Sequence, residues 1–117
     1  MTRALFVLNE SPYGTERSYN ALRLAGALSS EEGEELRMFL LGDAAACGKA
    51  RQKVPQGYYN LELMLSKIAR ASGSVGACGT CLDARGITEA ELAEGVKRST
   101  LAELTAWTQW AEKVLVF

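Results

Sequence analysis

Cys78 and Cys81 form a CxxC motif, and Arg85 follows in the same short stretch, residues 76–87. Thiolate is the nucleophilic and metal-binding form of cysteine, and a nearby cation favours it. Gly76 and Gly79 allow the backbone to approach a ligand closely. This stretch is therefore the strongest candidate for chemistry in the chain.

The elements around the motif decide how it is held. Residues 74–77 form an apolar run that is typical of a buried strand, and Gly86 with Thr88 behind it indicates a turn into a helix. We therefore expect Cys78 and Cys81 to lie on a loop at the exit of a strand.

The CxxC pair is compatible with three kinds of chemistry. A closed zinc site would need Asp83 or another subunit, because Cys47 is the only other cysteine and the sequence has no His. In a thioredoxin-like redox pair a helix starts at the first cysteine, and the predicted loop lacks that helix. A sulfur-handling thiol with a second thiol to resolve it also fits, and spacing alone does not separate it from the redox pair. We expect no bound metal and no cofactor.

Composition excludes several classes of function. The absence of His removes Ser-His and Cys-His nucleophile pairs. With 13 basic and 14 acidic residues scattered along the chain, nothing indicates binding to nucleic acid or to an anionic membrane. The longest apolar run is far shorter than the roughly 20 residues of a membrane span, and no secretory signal is apparent. We expect a cytoplasmic protein with reduced thiols.

The apolar pattern predicts one α/β domain over residues 1–117. Buried strands are expected at 3–9, 36–41, 74–77 and 114–117, and helices after Thr15, over 44–50, over 58–73, and after the capping-box patterns at Thr88 and Thr100. Helical crossovers between strands favour a three-layer α/β/α fold with a mostly parallel sheet of about five strands.

Ligands of such sheets bind at the carboxyl ends of the strands. Asn9, the Gly42-Asp43 pair and Cys78 are all expected at that edge. Besides the two thiols, the candidate binding residues are Gly79, Thr80, Asp83, Arg85, Asn9, Tyr13 and Tyr58. Cys47 lies in an Ala-rich segment and is expected to be a core residue.

A family resemblance extends over nearly the whole chain. Residues 78–87 resemble the C-x-T-C-x-D-x-R-G-I signature of the YchN-like branch of the DsrE/DsrF-like family. Further similar blocks are residues 12–14, 22–25, 40–44, 57–58, and Trp107 with 113–115.

The resemblance implies a DsrEFH-like three-layer domain assembled as a homo-oligomer, typically a hexamer built from trimers. Relatives such as the sulfur-relay subunits TusD and DsrE carry sulfur as a persulfide on a cysteine that corresponds to Cys78. In this hypothesis Cys81 resolves or shares the sulfur, Arg85 holds the anion or fixes the loop, and a donor or acceptor protein is a possible partner. The alternatives are a redox module and a non-catalytic oligomeric binding module with structural cysteines.

Overall fold

A computed structural model describes residues 2–117; Met1, the first residue of the predicted domain, and the side chain of Ser72 lie outside the description. The strands of the described part are β1 (Thr2–Leu8), β2 (Glu34–Leu40), β3 (Val75–Cys78), β4 (Val96–Ser99) and β5 (Lys113–Val116). The α-helices are α1 (Arg17–Ser29), α2 (Leu61–Ser72), α3 (Gly79–Ala84) and α4 (Leu101–Trp110). Two 3₁₀ segments, Gly42–Gly48 and Glu89–Glu91, complete the order.

The strands form one five-stranded sheet in the order β4-β3-β2-β1-β5, and every pairing is parallel. This confirms the predicted α/β fold. Because the strands are parallel, the carboxyl ends of β1 to β4 lie along one edge, which we call the carboxyl edge. Leu8 pairs with Leu40 near this edge, and Cys78 pairs with Ser99 at it.

Alternating strand residues supply the cores on the two faces of the sheet. Phe6 and Met38 belong to the larger core with α1 and α2, whereas Leu5 and Phe39 belong to a smaller core that packs against Trp107 of α4. The α4 side is covered thinly, since no residue of this helix is buried. Cys78 belongs to the smaller core.

Local signals set the bounds of α2. The Asn60 side chain accepts a hydrogen bond from the Leu63 N–H at 3.2 Å, and Gly73 ends the helix in the left-handed region with φ of 71°. These are a preferred N-cap and a preferred C-terminal residue. Tyr58, which the apolar stripe placed in this helix, lies before the cap.

Two predictions about residues 78–99 are wrong. Gly79–Ala84 is helical, where a loop was expected. The helix expected after Thr88 is only the turn Glu89–Glu91, although its capping box is present, and the chain then forms β4. Gly95, at φ of 87°, turns the chain here, and a Cβ on it would lie 2.6 Å from the Cβ of Ala69. Because the backbone of Gly95 approaches α2 this closely, there is no room for a side chain at position 95.

None of the helices in residues 2–117 combines the length and the apolar character needed to cross a bilayer.

Candidate functional site

Cys78 is both the last residue of β3 and the N-cap of α3. Its sulfur accepts a hydrogen bond from the Cys81 N–H at 3.4 Å and lies 3.4 Å from the Thr80 hydroxyl oxygen. An N-cap side chain normally offers an oxygen to these orphan N–H groups. Here a sulfur takes that place, so the contacts that start the helix also surround the thiol.

The end of α3 explains why the helix is so short. Gly86 has φ of 65°, and its N–H donates to the Asp83 carbonyl while the Ile87 N–H donates to the Leu82 carbonyl. This is a Schellman motif, in which glycine takes the left-handed position and two apolar residues close the turn. Leu82 and Ile87 are both buried. The motif fixes α3 at the end of β3.

The two thiols have opposite electrostatic environments. Burial acts to raise the pKa of Cys78, but hydrogen bonds from the side chains of Cys81 and Thr80 and from backbone N–H groups outweigh it, so the pKa lies below its ordinary value of 9.0. Burial raises the pKa of Cys81, its hydrogen bond to Cys78 raises it further, and the Gly42 N–H, 3.2 Å from the Cys81 sulfur, opposes both. Cys78 is therefore the more acidic thiol of the pair, and the hydrogen bond from Cys81 favours its ionised form.

Cys78 lines a cavity of about 470 Å³ at the carboxyl edge. The residue is only 8% exposed, yet it lines this cavity together with Cys81, Thr80 and Leu101. Phe39 and Leu41 supply an apolar wall, and Ser99 and Thr100 supply hydroxyl groups. A small sulfur compound can reach the thiolate.

Arg98 is a charged residue that lines the cavity and was not among the site residues predicted from the sequence. It lies on β4, and its two terminal nitrogens donate to the two oxygens of Asp83 at 2.8 and 2.9 Å. This pair lowers the pKa of Asp83 through the hydrogen bonds and the charge of Arg98. Asp83, one of the predicted binding residues, thus holds the guanidinium of Arg98.

The guanidinium of Arg85 contacts groups other than the Cys78 sulfur. One terminal nitrogen donates to the Cys81 carbonyl at 2.9 Å, and the other pairs with Asp43 at 2.5 Å. Its charge lowers the pKa of Cys81, as the weakest of the influences on that thiol. Arg85 therefore joins α3 to the 3₁₀ segment that follows β2.

Three predicted binding residues lie apart from the thiols. The Asn9 side chain donates to the Phe117 carbonyl at 3.3 Å, beside β5. Tyr13 packs against Tyr58 and Tyr59, and its hydroxyl donates to the Tyr59 carbonyl at 3.2 Å. None of the three lines the cavity of Cys78.

Cys47 is buried in the larger core, as an Ala-rich segment suggested. Its sulfur donates to the Glu10 carbonyl at 3.6 Å. Burial raises its pKa to about 11. Among the residues that the structure describes, no three His, Cys, Asp or Glu side chains converge in a way that could hold a metal ion.

Comparison with known proteins identifies the family to which the chain is similar. The sequence matches the DsrE/DsrF-like family over residues 2–117. It is 43% identical over 118 residues to protein YchN of Escherichia coli K12, with all of both chains covered. It is also 39% identical over 111 residues to an uncharacterized protein of Methanopyrus kandleri, covering 95% of this chain and 90% of that one.

Solved structures agree in fold. The crystal structure of the E. coli ychN protein matches all of both chains with a TM-score of 0.90 and 44% identity. A protein of unknown function from Methanobacterium thermoautotrophicum matches with a TM-score of 0.74 over 98% of this chain and 99% of that one, at 15% identity, and so shares the fold alone. The chain belongs to the DsrE/DsrF-like family.

Proposed function

We propose that the protein carries sulfane sulfur as a persulfide on Cys78. The observation that supports this is that Cys78, whose pKa is lowered by hydrogen bonds from the Cys81 thiol and the Thr80 hydroxyl, lines a cavity. Family membership supports a role related to sulfur relay. We expect the protein to act in the cytoplasm, where thiols stay reduced.

Loading is a displacement at sulfur. The Cys78 thiolate attacks the terminal sulfur of a donor persulfide, R–S–SH, forming Cys78–S–SH and releasing the thiolate R–S⁻. The reaction changes no net oxidation level, because one sulfane sulfur moves from one thiol to another. A Cys78 pKa below its ordinary value increases the fraction that can attack near neutral pH.

Unloading has two outcomes, which depend on the attacking thiol. An acceptor thiolate that attacks the terminal sulfur takes it as a new persulfide and regenerates the Cys78 thiolate. If Cys81 attacks the inner sulfur instead, a Cys78–Cys81 disulfide forms and hydrogen sulfide leaves. The raised pKa of Cys81 keeps it protonated and so slows this second outcome.

The assembled protein is proposed to be a homo-oligomer, with a hexamer built from trimers as the expected state. Large apolar side chains remain exposed in the single chain, among them Leu101 at 71% on α4 and Val116 at 66% on the edge strand β5. Burial against other copies would cover them. Light scattering at micromolar concentration tests this, and a monomer would contradict it.

Mass spectrometry tests the carrier function directly. The reduced protein is incubated with a small organic persulfide, desalted and analysed intact and by peptide mapping. We expect the mass of one added sulfur atom on the Cys78 peptide, absent in Cys78→Ser and present in Cys47→Ser. Labelling that persists in Cys78→Ser, or none in the unmodified protein, would refute the proposal.

A thiol–disulfide redox module is the second candidate, and the helix that starts directly after Cys78 favours it. The sequence predicted a loop in place of this helix, and that prediction was one argument against the redox interpretation. In this function Cys78 attacks a substrate disulfide and Cys81 resolves the mixed disulfide. Incubation with a glutathione redox buffer distinguishes the candidates: a readily formed, reversible Cys78–Cys81 disulfide supports the redox module, and its absence excludes it.

A further inference from the structure

We propose that Arg98 is the residue that binds the terminal sulfur of the persulfide formed on Cys78, holding it in the cavity as the anion. The inference deepens the proposed carrier function and rests on it. It also reassigns the cation: sequence reasoning gave the anion to Arg85, whereas the contacts of the site favour Arg98.

The position of Arg98 follows from strand pairing. In the parallel register of β3 and β4, Ala77 pairs with Arg98 and Cys78 pairs with Ser99, so Arg98 lies at the carboxyl edge beside the end of β3. Arg98 lines the same cavity as Cys78. The charge of Cys78 raises the pKa of Arg98, as a smaller influence than the hydrogen bonds and charge of Asp83 and the charge of Glu89.

Gly79 allows the guanidinium of Arg98 to pack against the backbone next to Cys78. A Cβ on Gly79 would be 3.0 Å from three guanidinium atoms of Arg98, closer than side-chain atoms normally pack. The planar group therefore covers the backbone of the residue next to Cys78. A side chain at position 79 would force the guanidinium to shift by a few tenths of an ångström or more, which gives the first variable position of the CxxC a physical role.

Asp83 orients Arg98 without saturating it. The carboxylate receives one hydrogen bond from each terminal nitrogen, so the guanidinium is fixed in a bidentate pair. The remaining N–H groups stay available to a second anion. The Arg98 side chain is also 36% exposed, so a ligand entering the cavity can reach it.

The chemistry of the loaded state creates the anion that Arg98 would bind. A persulfide adds one S–S bond of about 2 Å to the Cys78 sulfur, which extends the chain of atoms into the cavity. A persulfide is more acidic than its thiol, so Cys78–S–SH gives its proton to the released donor thiolate and becomes Cys78–S–S⁻. The charge now resides on the terminal sulfur, within the cavity that Arg98 lines.

Binding by Arg98 would protect the carried sulfur. The protonated persulfide is the electrophilic form, whereas the anion resists attack by a thiolate. A cation at the terminal sulfur favours the anion and therefore slows attack by Cys81 and the loss of hydrogen sulfide. Delivery then requires an acceptor thiol that returns its proton to the persulfide as it attacks.

Alkylation with two reagents of similar size tests the anion site before any sulfur is loaded. Iodoacetate is an anion and iodoacetamide is neutral. The ratio of the iodoacetate rate constant to the iodoacetamide rate constant at Cys78 therefore reports the local charge, because the fraction of ionised Cys78 is the same in both reactions and cancels. We expect Arg98→Gln to lower this ratio about threefold to tenfold relative to the unmodified protein. An unchanged ratio would overturn the proposal.

Two controls separate Arg98 from other sources of charge. Lys97→Gln removes a neighbouring cation of β4 that does not line the cavity, and it should change the ratio less than Arg98→Gln does. The double variant Asp83→Asn with Arg98→Gln is compared with Asp83→Asn alone, because Arg98→Gln by itself also leaves the Asp83 carboxylate uncompensated. A ratio that is equal in these last two variants would mean that Arg98 does not act on the anion.

Persulfide loss provides the second measurement. After loading, Arg98→Gln should release hydrogen sulfide several-fold faster than the unmodified protein, and Arg98→Lys should fall between them. Equal release rates in all three would overturn the protective role. If the alkylation ratio falls but no variant ever accepts sulfur, the anion site stands and the carrier function fails.

Discussion

Cys47 and Cys78 are both nearly inaccessible in the folded chain, with exposures of 1% and 8%, yet their chemistry diverges. Burial in the apolar core raises the pKa of Cys47 to about 11, although hydrogen bonds from Ser18 and from the backbone act to lower it. Burial also opposes ionisation of Cys78, but donors converge on that sulfur and lower its pKa. The two thiols therefore differ both in depth of burial, which is greater for Cys47, and in the number of hydrogen-bond donors that converge on Cys78.

The two regions also differ in what lies beyond the sulfur. Cys47 is surrounded by core residues, whereas Cys78 borders a cavity of 470 Å³. A reagent can reach Cys78 through the cavity, but it reaches Cys47 only when the core opens. Predictions that compare these two thiols therefore test the electrostatic and the steric parts of the contrast together.

The largest expected effect is the difference in alkylation rate. At pH 7 a thiol of pKa about 11 is roughly 10⁻⁴ ionised, and core packing adds a further barrier. We expect Cys47 to react with iodoacetamide at least about 10³-fold more slowly than Cys78 in the native protein. Peptide mapping of a time course measures both sites in one sample. Comparable native rates would contradict the contrast, and similar rates in denaturant serve as the control.

The pH dependence of stability gives the next largest effect. The folded-state pKa of Cys47 is about 11 against an ordinary 9.0, so the unfolded chain loses this proton first as the pH rises. The free energy of unfolding is unaffected by Cys47 below pH 9 and falls between pH 9 and 11, by up to about 3 kcal/mol.

Urea unfolding at pH 8 and pH 10.5 measures this effect. Cys47→Ala lacks the titrating group but keeps Cys78 and Cys81, so the difference in pH dependence between the two proteins isolates Cys47. We expect the unmodified protein to lose more stability than Cys47→Ala over this interval. Parallel losses in both would show that the Cys47 thiol ionises as easily in the folded as in the unfolded chain.

Local sequence patterns predicted most elements of the fold but missed one that holds the site. Apolar runs identified β1 and β2, and the capping box of Thr100 identified α4, because those signals are local. The start of α3 was missed because its cap is the sulfur of Cys78, which is not among the residue types that normally mark an N-cap.

The place of Arg98 in the site depends on a pairing that no local pattern contains. β4 has only one apolar residue, Val96, with exposed Lys97 and Arg98 after it, so it shows no buried run. Arg98 meets the CxxC only through the register with β3. A basic residue just before the capping box of Thr100 was the one available signal. Arg85 was the cation chosen instead because it is close to the thiols in sequence.

A smaller effect is expected when the donor to Cys78 is removed. Cys81→Ala deletes the S–H that stabilises the Cys78 thiolate, so the Cys78 pKa should rise. One hydrogen bond of about 1 kcal/mol corresponds to a roughly fivefold change in the ionisation constant. Cys81→Ser retains a donor and should shift the pKa less. The pH profile of Cys78 alkylation measures both, and a profile that does not move in Cys81→Ala would refute the assignment of Cys81 as donor.

The smallest effect concerns the contact that physically joins the two regions. Arg85, at the end of α3, pairs with Asp43 in the 3₁₀ segment that contains Cys47. The Asp43 side chain is 67% exposed, so solvent screens the pair. We expect Arg85→Gln to lower the free energy of unfolding by at most about 1 kcal/mol, as is usual for exposed ion pairs.

A double-mutant cycle with Asp43→Asn isolates this pair, since Arg85 also donates to the Cys81 carbonyl. If the coupling energy stays below about 1 kcal/mol, the pair is a weak surface bridge, and the two thiols differ because of their own surroundings. A larger coupling energy would mean that α3 and the 3₁₀ segment are stabilised as one unit. The environment of Cys78 would then depend on the same packing that keeps Cys47 inert.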